Sequence, residues 1–138
     1  MNIRLYSNEN DYQMVCDWWT KRSMPILGSR VLQAVGYVAH EGDKDIACAW
    51  LYMDYASGVC WLNLFITNPE APISQVIKAH DAIVNAFKLF AEIEQCVIML
   101  AFYERPSLAR LAVKQGFQVN HEHTTQLFMP LTPKEEAA

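Results

Sequence analysis

An α/β domain with a mixed sheet is what this chain of 138 residues predicts. Three observations carry the prediction. Three apolar stretches, Ala34 to His40, Ile46 to Tyr55 and Val59 to Thr67, are joined by short polar turns containing glycine, which is the signature of an antiparallel meander. A long stretch from Ile73 to Glu92 then repeats its apolar residues at helical spacing. A strand-like segment, Cys96 to Phe102, and a second helix follow, and strand–helix–strand order implies a right-handed crossover with a parallel pair. Together these predict about seven strands, mostly antiparallel around a central parallel pair, with helices on both faces.

Ile3 to Tyr6 alternates and opens the sheet; Ser7 or Asn8 then offers an N-cap for a helix over Glu9 to Lys21. On that helix Tyr12, Val15, Cys16 and Trp19 share one face, while Met14 and Trp18 lie on another, so it is covered on more than one side. Met24 to Gln33, with Pro25 and Gly28, reads as a connector holding one short helical turn. The meander occupies the middle of the chain, and its third strand is apolar almost throughout, as expected of a strand buried on both faces. Asn68-Pro69-Glu70-Ala71-Pro72 breaks the chain. The stripe of the long helix runs through Ile73, Val76, Ile77, His80, Ile83, Val84, Phe87, Phe90 and Ala91. The last helix starts at Pro106, a favoured first-turn residue, and ends at Lys114 before Gly116, a natural residue just past a helix end. Phe117 to Asn120 and Thr124 to Met129 read as two final strands, and residues 132–138 as a polar tail.

Composition narrows the function classes. Hydrophobic residues make up 52% and charged residues 19%, enough for a real core and low enough to leave apolar surface that a second copy could cover as a homodimer. The net charge is −4 and the chain has no Lys/Arg run, so the electrostatic footprint of a nucleic-acid binder is missing. No apolar run is long enough to span a membrane, and the first residues lack the pattern of a secretory signal. Cys16, Cys48, Cys60 and Cys96 sit singly in apolar segments without zinc-type spacing, which reads as reduced core thiols of a cytoplasmic protein. His121-Glu122-His123 has no third ligand nearby, so no metal is expected. His80 lies in the apolar stripe and reads first as a core histidine with one hydrogen bond, its alternative being a buried acid/base group. Trp18 reads as core, or as part of a pocket or interface. Tyr103-Glu104-Arg105 follows a strand's C-terminal end, where ligands of α/β proteins bind, and reads equally as a helix cap.

The order of elements, closed by Lys114-Gln115-Gly116-Phe117, resembles the Gcn5-related N-acetyltransferase (GNAT) superfamily. Leu62 to Pro69, Cys96 to Phe102 and Leu108 to Phe117 carry the resemblance, and the last segment is its most specific piece. It implies a single GNAT-like domain over residues 1–131 and direct acetyl transfer from acetyl-CoA to a small-molecule or peptide amine. It also implies that the CoA pyrophosphate rests on backbone N–H groups of the loop and first helical turn after the fourth strand. The positions it assigns to the cofactor are Phe65, Ile66, Ser74, Gln75 and Arg105. The chain departs from the family at three points. The stretch from Asn68 to Val76 contains no glycine and no basic residue, holds Pro69 and Pro72, and places Glu70 beside the expected diphosphate. Ala112 stands where the family often has a tyrosine acid, and Asn63 where a glutamate base is common. Tyr103 and Asn63 are the nearest catalytic candidates, with Tyr52, Tyr55 or a water chain as substitutes. These departures support a second reading: an inactive GNAT-fold binding or interaction protein, such as a phage or prophage accessory protein.

Overall fold

The computed structural model describes residues 1–131 apart from 33, 123, 124, 126 and 128, so the expected polar tail lies outside the described residues. Among the described residues five strands form one sheet in chain order: β1 (Asn2–Leu5), β2 (Val35–Glu41), β3 (Lys44–Asp54), β4 (Val59–Thr67) and β5 (Ile98–Ala101). The first four pair antiparallel, and β5 pairs parallel to β4. The helices are α1 (Asn8–Lys21), α2 (Ile73–Ile93) and α3 (Pro106–Lys114), with a 3-10 turn at Ser29–Leu32 inside the first connector. No helix among the described residues is long and apolar enough to cross a membrane.

The expected count of about seven strands is corrected to five among the described residues. Phe117 to Asn120 is not a strand: Gly116 turns the chain at φ 108, Phe117 packs into the core beside α2, and Val119 is left 62% exposed with no ladder partner among the described residues. Of the other expected strand, Thr124 to Met129, residues 124, 126 and 128 lie outside the described ones. β5 is shorter than Cys96 to Phe102 because its ladder with β4 ends at the Leu62–Ala101 pair.

α1 begins at Ser7, whose extended backbone makes it the N-cap. Its hydroxyl makes no cap bond; instead the Asp11 carboxylate reaches back one turn and accepts the Ser7 N–H at 2.9 Å. Asp11 is 5% exposed, and its charge is matched by a two-pronged contact from Arg4, at 2.9 and 3.0 Å. The same guanidinium reaches Asp45 at 3.3 Å, so one side chain ties β1, α1 and β3 together.

The two faces of the sheet are packed differently. On one side Val15, Trp18 and Trp19 of α1 meet Val38, Cys48, Trp50 and Ile66. Both tryptophans are core, at 5% and 2% exposure. On the other side Ala79, Ile83, Val84, Phe87 and Ala91 of α2 lie on Ala39, Ala47, Ala49, Leu51, Cys60 and Leu62, the alanines giving the helix a close approach. The buried stripe of α2 includes Ala79 and leaves Ile73 and Ile77 exposed, so its face is turned slightly from the one the apolar spacing predicts.

Gly36 stands opposite Trp50 in the β2–β3 ladder. A Cβ there would lie 2.6 and 2.7 Å from indole Cδ1 and Nε1. Trp50 is fully buried and held edge-to-face against Tyr6 at 5.0 Å, so it has nowhere to retreat. Gly36→Ala is expected to destabilise the fold by about 1–3 kcal/mol through overpacking, read as a lower urea midpoint with an unchanged m-value.

Candidate functional site

The site begins with an irregularity in β4. The β3–β4 register runs Cys48–Ile66 and then Trp50–Asn63, so β4 carries one extra residue. Leu64 takes up the bulge with φ 60, a left-handed conformation that costs a branched side chain about 1–2 kcal/mol. Asn63 secures it by accepting the Leu64 N–H on Oδ1 at 2.9 Å. Candidate Asn63 thus has its acceptor occupied by its own backbone.

The bulge inverts the alternation of the strand. Cys60 and Leu62 face α2, whereas beyond the bulge Leu64 and Ile66 face α1 and Phe65 faces α2. The β5 ladder stops at Leu62, immediately before it, so β4 and β5 run side by side and then lose their pairing. Phe65 on β4, His80 on α2 and Tyr103 beyond β5 come together at this fork. The Phe65 and Tyr103 rings lie 5.0 and 5.5 Å from the imidazole. His80 is fully buried; its Nε2 is 2.7 Å from the Tyr103 hydroxyl and its Nδ1 has no partner. Ile66 is 5% exposed on the opposite face, so only its main chain can serve a ligand in the fork.

The rim of the fork is the loop between β4 and α2. Asn68 holds it rigid: its N–H donates to Ile46 O, its amide to Asp45 O, and its Oδ1 accepts the Glu70 N–H. Gln75 and Val76 N–H donate to Pro72 O, which leaves the Ile73 and Ser74 amides facing outward at the helix start. Ser74 is exposed there, and Gln75 is half-buried with Oε1 unsatisfied.

Positive charge reaches the rim from elsewhere in the chain. Arg22, just past the end of α1, donates to Thr67 Oγ1 at 2.6 Å, and its Nε is buried without a partner. Burial lowers the Arg22 pKa, and repulsion from Arg105, the N-cap of α3, lowers it further. Among the described residues no carboxylate forms an ion pair with either arginine. Glu70 points toward Lys21 at 3.7 Å, which offsets its charge. Two arginines that repel one another without a counterion among the described residues leave net positive charge at the rim.

Of the residues singled out in the sequence, Phe65 and Tyr103 meet at the fork, while Ser74, Gln75 and Arg105 stand around its rim. Tyr52 and Tyr55 lie apart: Tyr52 donates its hydroxyl to Val31 O, and Tyr55 sits 69% exposed at the β3–β4 turn. Of His121-Glu122-His123, the last residue lies outside those described. Arg22 was not visible as a site residue, since its partner Thr67 is 45 positions away and nothing local marks it.

No family model matches the sequence, and no curated protein matches it. Solved structures do. A Thermus thermophilus protein superposes with TM-score 0.71 at 14% identity over 96% of this chain and 100% of its own. A Trypanosoma brucei acetyltransferase gives 0.64 at 12% identity, covering 93% and 99%. A Mycobacterium tuberculosis protein solved in complex with CoA gives 0.67 at 13% identity, covering 91% and 76%. The chain has the GNAT fold. Its mixed sheet, with β5 parallel to β4 and helices on both faces, is the architecture the resemblance implied, with fewer strands.

His80 adds a pH signature to this GNAT fold. Burial lowers its pKa below the ordinary histidine value, against smaller opposing effects of Asp81 and Gln115. The unfolded chain then binds the proton more readily, so this residue's contribution to stability is complete above the ordinary histidine value near 6.5 and declines as pH falls toward the folded-state value. A His80→Gln variant is expected to lose that part of the decline as pH falls through and below about 6.5. Urea titrations of both proteins across that range measure it, and parallel curves would show that the imidazole does not titrate differently on folding.

Proposed function

We propose that this protein is a GNAT-type N-acyltransferase that moves an acetyl group from acetyl-CoA to a small-molecule or peptide amine. The observation that carries the reading is the fork between β4 and β5 with an unneutralised pair of arginines at its rim. The fork offers an acyl-pantetheine arm the unpaired edge of β4 beyond Leu62, next to Phe65. The rim offers phosphates Arg22, Arg105 and the Ile73 and Ser74 amides at the positive end of α2. In this reading the arginines take over from the glycines that the loop lacks. The CoA complex of the M. tuberculosis structural neighbour supports the choice of donor.

Millimolar acetyl-CoA is expected to raise the melting temperature, because a ligand held only by the folded chain stabilises it. Arg22→Ala and Arg105→Ala should each weaken CoA about tenfold or more, given the roughly 1.5–3 kcal/mol of a charged hydrogen bond. They should leave S-acetyl-pantetheine, which has no diphosphate, unaffected. Calorimetric titration of both ligands makes the comparison, and added salt should weaken only the CoA complex. The glycine-free loop with Pro69 and Pro72 favours the competing reading of an inactive binding protein. A melting temperature indifferent to millimolar acetyl-CoA would establish that reading and end the enzymatic one.

A further inference from the structure

Asp11 and His80 are the two buried polar or charged side chains of the described core, and they differ in one respect. Asp11 is satisfied on both oxygens by Arg4 and by the Ser7 N–H. His80 is not satisfied: Nε2 meets the Tyr103 hydroxyl, while Nδ1 is an orphan inside the protein. An imidazole kept only to fill space between α2 and the sheet would leave a buried orphan nitrogen with no return for its desolvation.

One assignment of the ring proton agrees with the unpaired atoms around the imidazole. Groups that face the imidazole are Tyr103 from the end of β5, Phe65 from β4, Asp81 from α2 itself and Gln115 from the end of α3. The Gln115 amide nitrogen donates to Asp81 O at 3.3 Å, and its Oε1 is the other orphan of this neighbourhood. An imidazole proton on Nδ1 is the donor that Oε1 lacks, and it leaves Nε2 with a lone pair. Burial raises the Tyr103 pKa, so the phenol keeps its proton and gives the hydrogen bond to Nε2. Tyr103 as a residue is half-buried beyond the end of β5, and its oxygen keeps lone pairs besides the bond to Nε2.

Resting on the acyltransferase reading, we propose that Tyr103 is the catalytic proton acceptor and His80 the positioning residue that aligns its hydroxyl and takes its proton. The amine enters as the free base. Its nitrogen forms a bond to the thioester carbonyl carbon, and its proton passes to the Tyr103 oxygen as the Tyr103 hydroxyl proton passes to His80 Nε2. The carbon–sulfur bond breaks, and the thiolate leaves. The buried imidazolium then returns its proton through Tyr103 to the sulfur, which yields amide, free thiol and the starting pair. The cost of holding a charged imidazolium away from water favours that return.

The test combines kinetics and spectroscopy on the full chain. Acetyl-CoA and a panel of primary amines are the substrates, and thiol release is the readout. Tyr103→Phe and His80→Gln are each expected to lower kcat about 100-fold with the acetyl-CoA KM within about twofold. The double variant should be no slower than the slower single one, as residues acting as a unit require. The acid limb of the kcat/KM profile should disappear in His80→Gln. In 15N-histidine-labelled wild-type protein the His80 ring should show a proton on Nδ1, an observation independent of whether either variant folds. Wild-type kcat in Tyr103→Phe, an unchanged acid limb in His80→Gln, or a proton on Nε2 would each overturn the relay while leaving the acyltransferase reading intact. Absence of any acetyl-CoA effect on the wild-type melting temperature would overturn both.

Discussion

One extra residue in β4 sets the organisation of this protein. Without the bulge at Leu64, side chains beyond Leu62 would keep their alternation, Leu64 and Ile66 would face α2, and Phe65 would lie against α1. The α1 core needs Ile66, and the fork needs Phe65 beside His80. Both depend on a left-handed residue held by the side chain of Asn63. The strain is local, and a rigid sheet overdetermines it: β4 is laddered to β3 on both sides of the bulge and to β5 below it.

Charge follows a similar logic of assembly at a distance. The loop from Asn68 to Pro72 has no basic residue, yet it borders two arginines from sequence positions far on either side. Arg22 is placed by Thr67, the last residue of β4, and Arg105 by the start of α3. Helix ends supply both, because α1 ends and α3 begins near the C-terminal end of β4, where an α/β sheet gathers its ligand groups.

Much of the fold was legible because it rests on local patterns. The boundaries of β4 and α3 follow from turn glycines and from Pro106, and the meander from apolar runs separated by polar turns. Parity was not legible: a strand apolar throughout is compatible with either face, and nothing in Leu62 to Ile66 announces a bulge. The strand expected at Phe117 to Asn120 failed for a related reason, since alternation signals a strand only where a ladder partner exists. At the site, Phe65, Tyr103, Ser74, Gln75 and Arg105 were reached through the resemblance. His80 was visible as a polar residue in an apolar stripe, but its partner is 23 positions away, and its neighbours could not be inferred from spacing.

The stiffness of the β4–α2 loop has a consequence of its own. Pro69 and Pro72 fix two backbone angles, and Asn68 bonds the loop to Asp45, Ile46 and Glu70 before any ligand arrives. A glycine-rich loop loses conformational entropy when it closes on a phosphate, whereas this one has little left to lose. In the proposed complex the outline would be preformed, so a bound anion would be selected by shape: one that did not match Ile73, Ser74 and the two arginines could not be accommodated by a rearrangement of the backbone.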